Sequence, residues 1–210
     1  MEKKDIEKIL NNLSKERPIF HGERDFQFSL GCEIKSKYPN MKIILEKTMK
    51  GNNNTTERID IGIELKFIKG KFSGEVDGDE YHWLGNEAYD LKSYDTLKDI
   101  QRLEHYIQYG CIDFGYSIVL SNARLLWEQQ CNDSHYDQFS LYEGRMLPTT
   151  LSWPSTTIAG KKGEKRKDSI TLCHEYSIHW KKYPGNVLGI ESNNPFKYLI
   201  FEIDKCNNEL

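Results

Sequence analysis

The chain has 210 residues, 38% of them hydrophobic, with four Trp, twelve Tyr and nine Phe. That supply fills a sizeable core, most simply of one domain, and excludes a disordered chain; the lack of a long apolar run excludes a membrane-spanning helix. The net charge of −3 argues against a protein that coats nucleic acid by bulk charge, but leaves room for an enzyme with an acidic site beside local basic patches.

The opening MEKKDIEKILNNLSKE is a polar helix pattern without a signal-peptide apolar core, which predicts a cytoplasmic protein. Residues 5–15 read as a first amphipathic helix, broken at RPIF. Residues 22–37 read as a second, with Phe26, Leu30, Ile34 and Tyr38 at helical spacing, ended by YPN. Residues 42–48 alternate as a strand. KGNNNTTE is a turn region, and RIDIGIELKF, residues 58–67, follows as the next strand. The polar, Gly-rich stretch KGKFSGEVDGDEYHWLGNEAYD reads as a long loop with a short strand at 80–84.

Residues 90–109 form the strongest helix pattern, with Leu97, Ile100, Leu103, Glu104 and Ile107 along one stripe and Gly110 as its C-cap. FGYSIVLSN is a strand apolar on both faces. The last third carries DQFSLYEG, ITLCHEYSIHWKKY and FKYLIFEI, all β-rich. Five scattered cysteines (Cys32, Cys111, Cys131, Cys173, Cys206) give neither a disulfide framework nor a zinc CxxC pair. Cys173 beside His174 reads as a buried thiol next to an ordinary histidine. The basic run at 161–167 reads as a solvated turn, with phosphate contact by Lys161 and Lys162 as the functional alternative.

The chemistry concentrates in RIDIGIELKF. As a strand it puts Asp60, Gly62, Glu64 and Lys66 on one face. Two carboxylates can hold Mg2+ through oxygen, and a nearby lysine can orient water or offset phosphate charge. Such parts suit phosphodiester hydrolysis. Two geometries are open. A continuous strand separates Asp60 from Glu64 by about 13 Å, too far to share one ion. A tight loop through Ile61-Gly62-Ile63 brings their Cα atoms to about 4.5–5.5 Å. Glu23 lies on the same side of its helix as Gln27, Leu30 and Ile34. There it is either a favourable charge in the first turn or part of a site. A strand with a plain solvated face explains the same alternation.

These residues resemble the PD-(D/E)XK nuclease superfamily, with its restriction-endonuclease-like fold, in an uncharacterised bacterial branch. Glu23 in FHGERDFQ matches the helix glutamate, Asp60 in RIDI the strand aspartate, and Glu64-Leu65-Lys66 the (D/E)-x-K tripeptide. YDTLKDIQRLE, GYSIVLSN, ITLCHEYSIHW and FKYLIFEI extend the likeness more loosely. The resemblance implies a mixed central sheet flanked by helices. It implies Mg2+, or Mn2+, held by Asp60, Glu64 and the Leu65 carbonyl, with Glu23 completing the site. It casts Lys66 as the residue assisting the attacking water. The family places a full hairpin between aspartate and tripeptide, where only three residues stand here. Glu46 is the substitute carboxylate to consider.

The expectation is therefore an α/β fold. Residues 1–125 form a nuclease-like core, and residues 126–210 a β-rich C-terminal extension packed on the same domain. The expected activity is metal-dependent hydrolysis of DNA, with Lys98, Arg102, Lys161 and Lys162 as backbone contacts and a homodimer as an open option. The rival is a catalytically inactive nuclease-fold module that binds nucleic acid or a protein partner.

Overall fold

The computed structural model describes residues 1–46, 59–85, 88–129, 137–154, 166–185 and 195–205. It is a mixed α/β structure. Helix α1 (Lys3–Glu16) buries Ile6, Ile9, Leu10 and Leu13, the i, i+3, i+4, i+7 stripe of an amphipathic helix. Helix α2 (Glu23–Lys37) buries Phe26, Leu30 and Ile34. At its entry Asp25 accepts the His21 backbone N–H at 2.9 Å and ion-pairs with Arg17 at 2.7 Å.

Strand β1 (Ile59–Ile68) runs straight through Gly62 and pairs in parallel with β4 (Ile112–Ser121), Glu64 lying opposite Ser117. Parallel neighbours need a long crossover. Here it holds a hairpin, β2 (Phe72–Val76) and β3 (Asp79–Trp83), and helix α3 (Tyr89–Gln108). The hairpin turns on Asp77 and Gly78, both at positive φ (55° and 86°), as a two-residue turn that follows strand twist demands. Helix α3 ends on Gly110 at φ 69°: the Gly110 N–H donates to Ile107 O and the Cys111 N–H to Tyr106 O, a Schellman cap.

The last third adds β5 (Met146–Leu147), β6 (Thr150–Leu151), β7 (Ile170–Thr171), β8 (Tyr176–Ser177), β9 (Lys181–Lys182) and β10 (Lys197–Ile203). Strand β10 pairs antiparallel with β4, giving a mixed sheet of order β1-β4-β10-β9; β5 pairs with β8 and β6 with β7. Among the described residues β1 is an edge strand of the main sheet.

Each face of the sheet has its own core. On one side α1 and α2 pack on the odd-numbered residues of β1 and on Tyr116, Ile118 and Leu120 of β4. Phe67 anchors β1 there, with ring centroids 6.1 Å from Phe20, 5.7 Å from Trp83 and 6.2 Å from Phe196. On the other side α3 and the short strands of the last third pack on Ile68, Val119, Leu199 and Phe201.

Two expectations change. Residues 42–46, expected as part of a strand, are in none, and 47–48 lie outside the described residues. The stretch expected as a loop with one short strand is a complete hairpin, for which Asp77-Gly78 was the local signal.

Candidate functional site

Helix α3 crosses the even face of β1 with Leu103 seated close over Gly62. A Cβ on Gly62 would meet Ile112 Cδ1 at 2.7 Å and Leu103 Cδ2 at 3.0 Å. Gly62 is therefore not a turn residue; its missing side chain lets the helix approach. Asp99 precedes Leu103 by one helical turn, so both lie on the same side of α3. Asp99 is thereby carried into the core face, where its side chain is 5% exposed.

There it meets the two charged residues of the tripeptide. Lys66 Nζ lies 2.7 Å from Asp99 Oδ2. Arg102 Nη2 lies 2.6 Å from Asp99 Oδ1 and 2.8 Å from Glu64 Oε1, and Arg102 Nε–H also donates to Glu64 Oε1 at 2.9 Å. Two acids and two bases thus alternate in one cluster of zero formal charge. Glu23 arrives from α2, on the other side of the sheet. Its Oε2 accepts the Phe67 N–H at 3.2 Å, one residue beyond Lys66.

The electrostatics follow from burial. Desolvation raises the Glu64 pKa above the ordinary carboxylate value, against the pull of Arg102, and the negative charge of Asp99 adds to the rise. For Lys66 burial works the other way, but Asp99 outweighs it, with Glu23 and Glu64 helping, and the pKa ends raised. Lys66 is therefore an ammonium at neutral pH. As such it can donate to a water or a phosphate oxygen.

Glu64, Lys66 and Glu23 are thus brought to the same part of β1. Leu65 stands between the first two, opposite Ile118 of β4. Asp60 is exposed and on the continuous strand lies about 13 Å from Glu64, so the two do not share an ion. The three-residue loop that would have joined them does not form. Glu46 is exposed, at φ 53°, at the end of its described segment. Arg102, expected as a contact to the nucleic-acid backbone, turns onto Glu64 and Asp99. Lys98 Nζ donates to Gln101 Oε1 at 2.8 Å, and Gln101 in turn donates to Thr171 O at 2.9 Å. Lys161 and Lys162 lie outside the described residues. Cys173 is exposed and disulfide-bonded, not a buried thiol, and His174 Nε2 sits 3.4 Å from Asp204 Oδ1.

Asp99 is the site residue that sequence reasoning missed. Its signal was spacing: it stands four positions before Leu103 and next to Ile100 on the buried stripe. For a divalent cation the donors agree in kind: Glu64 and Asp99 are hard oxygen donors converging on one cationic nitrogen, while the buried Asp99 Oδ2 is held by the Lys66 ammonium at 2.7 Å. No three His, Cys, Asp or Glu side chains gather among the described residues, so an ion there would keep several waters, as Mg2+ commonly does.

No protein-family model matches the chain, and no curated protein or solved structure shows significant similarity to it. Among the described residues no helix is long and apolar enough to cross a membrane.

Proposed function

We propose that the protein is a metal-dependent nuclease of the PD-(D/E)XK type, with a restriction-endonuclease-like core, hydrolysing phosphodiester bonds in DNA. One observation carries this reading. Glu23, 44 positions from Phe67 in sequence, reaches β1 beside the Glu64-Leu65-Lys66 tripeptide, the grouping that the resemblance calls for.

Mg2+ or Mn2+ bound at Glu64 would polarise a phosphoryl oxygen and lower the pKa of a bound water. Lys66, charged and fixed by Asp99, donates to the attacking water or to a nonbridging phosphate oxygen. Glu23 adds a carboxylate at the outer side of the strand, able to accept a hydrogen bond from that water. In the reaction the water oxygen joins phosphorus and gives up a proton to solvent, while the ester oxygen leaves with its bonding pair and takes up a proton from solvent.

The inactive-module reading has one specific point in its favour: each member of the Glu64–Arg102–Asp99–Lys66 cluster already has an ionic partner. Incubation of plasmid and single-stranded DNA with Mg2+ or Mn2+ decides between them. The nuclease reading expects cleavage by the wild type and a loss of about 100-fold or more in Lys66→Ala, the scale at which a donor to transition-state charge acts. Equal cleavage by both proteins would sink it.

A further inference from the structure

The carboxyl ends of the parallel strands β1 and β4 lie at one end of the sheet, the place where open α/β sheets bind their ligands. The register carries that end across four strands, from Ile68 of β1 through Ser121 of β4 and Lys197 of β10 to Lys182 of β9. Neighbouring strands stand about 4.8 Å apart, so the row is about 14 Å wide. Lys69 and Lys71 follow β1 directly, and the Asn122 side chain, just past β4, accepts the Gly70 N–H between them at 2.7 Å. Lysines thus stand on both sides of β4.

None of these four lysines has a carboxylate partner among the described residues. Lys69 lies over the Trp83 ring at 5.7 Å, and Lys197 over the Trp127 ring at 5.0 Å. The two rings hold those ammonium groups in position. Lys71 and Lys182 are exposed. Nearby acids are occupied: Glu128, next to Trp127, by Arg124, and Glu143 by the Trp180 N–H. Lys182 and Lys197 are direct cross-strand neighbours, and like charges so placed destabilise a bare sheet. A chain of net charge −3 therefore gathers four uncompensated ammonium groups at one end of its sheet. An anion lying along them turns that repulsion into attraction.

We propose that this row binds the phosphodiester backbone of a nucleic acid and leads it to the edge of β1. Its width holds about four phosphates of one strand, at about 3.4 Å of rise each. Lys66 stands two residues before Ile68, about 7 Å back along β1, with its side chain 20% exposed. A backbone lying on the row brings its next phosphates to Lys66. That last step rests on the nuclease reading; binding by the row does not. Lys98 and Arg102, expected as backbone contacts, are engaged by Gln101 and Glu64, and the row takes over their part.

The test uses the full chain in EDTA, where no metal-dependent cleavage occurs. Binding is read by fluorescence anisotropy with a labelled DNA of mixed sequence, single-stranded or duplex. Lys71→Gln combined with Lys182→Gln should weaken binding about tenfold. It should also lower the slope of log affinity against log salt by about 1.8 on duplex or about 1.4 on single strands, two contacts at about 0.9 or 0.7 each. The arm that shows the change names the form bound. Lys4→Gln combined with Lys205→Gln removes the same charge from exposed positions and should change neither quantity. Lys205 follows the other end of β10, where Ile203 lies opposite Gly115. In the wild type, bound DNA should slow acetylation of Lys71 and Lys182 but not of Lys4 and Lys205, which decides even where a variant does not fold. Absence of DNA binding, equal losses in the two double variants, or acetylation of Lys71 and Lys182 at the free-protein rate overturns the proposal. Binding through the row without cleavage once Mg2+ is supplied keeps the row and removes the nuclease reading. Cleavage by a protein whose binding ignores the row does the reverse.

Discussion

Glu104 shows how a single buried acid couples helix α3 to the last third of the chain. It is 1% exposed, and its Oε1 accepts the Tyr176 hydroxyl at 2.8 Å and the Cys173 N–H at 2.9 Å. Burial raises its pKa; those two hydrogen bonds and the nearby His174 and His105 pull it back only in part. A carboxyl with a raised native pKa binds its proton more tightly folded than unfolded. Its contribution is full below the unfolded carboxyl range and is lost as pH rises through the native value. Glu104→Gln keeps the acceptor and removes the charge. It should be at least as stable as the wild type at pH 7 in urea denaturation, with the advantage fading towards pH 4. Glu104→Ala strands the buried Tyr176 hydroxyl and should cost about 1–3 kcal/mol. A Glu104→Gln protein less stable than the wild type at pH 7 would contradict this account. Glu104 was legible as a stripe residue because the 3.6 period placed it among leucines. Asp99 was not: at the stripe's border a charged residue reads as solvated, and only the partner strand brings Lys66 to it, beside Arg102 of its own helix.

At the scale of elements, periodicity exposed α1, α2, α3 and the apolar strand β4, since each buries one stripe or both faces. It did not decide the path of β1, because glycine serves two physical needs that a sequence does not separate. One is a backbone at positive φ; the other is room for a neighbour. Gly62 answers the second. Gly62→Ala would push a methyl group against Ile112 Cδ1 and Leu103 Cδ2, at 2.7 and 3.0 Å before any relaxation. Both are ends of flexible side chains, so the cost should be about 1–3 kcal/mol rather than loss of the fold. Relaxation would lift α3 from β1 and lengthen the Arg102–Glu64 contact. A lowered urea midpoint together with a weakened Arg102 Nε–H resonance is expected. An unchanged midpoint would mean that α3 does not press on the strand. The segment 42–46 taught a related lesson: alternation specifies a strand only where a neighbour pairs with it, and among the described residues none does.

At the scale of the whole molecule, the β-rich last third enters the central sheet instead of hanging beside it. Strand β10 lies against β4 over its full length, from Lys197 opposite Ser121 to Ile203 opposite Gly115. Its Leu199, Phe201 and Ile203 are buried on the α3 side, and Tyr198 and Ile200 on the α1–α2 side. Trp127, Leu147, Leu151, Ile170 and Trp180 complete the core beneath α3. Residues 1–125 alone would therefore keep α3 on β1 and β4 but lose the part of its core that β10 and the short strands of the last third supply. They would also expose the apolar strand β4 as an unpaired edge, a template for aggregation. Cooperativity should span the whole chain. Far-UV circular dichroism should melt together with tryptophan fluorescence, because Trp83 lies in the hairpin while Trp127 and Trp180 lie in the last third. The 1–125 fragment should show no cooperative urea transition, and the site at Glu64, Lys66 and Asp99 should not assemble in it. A fragment with a sharp transition of its own, or separate melting of the two probes, would mean that the nuclease-like part folds alone and that the last third is an addition to it, not half of its core.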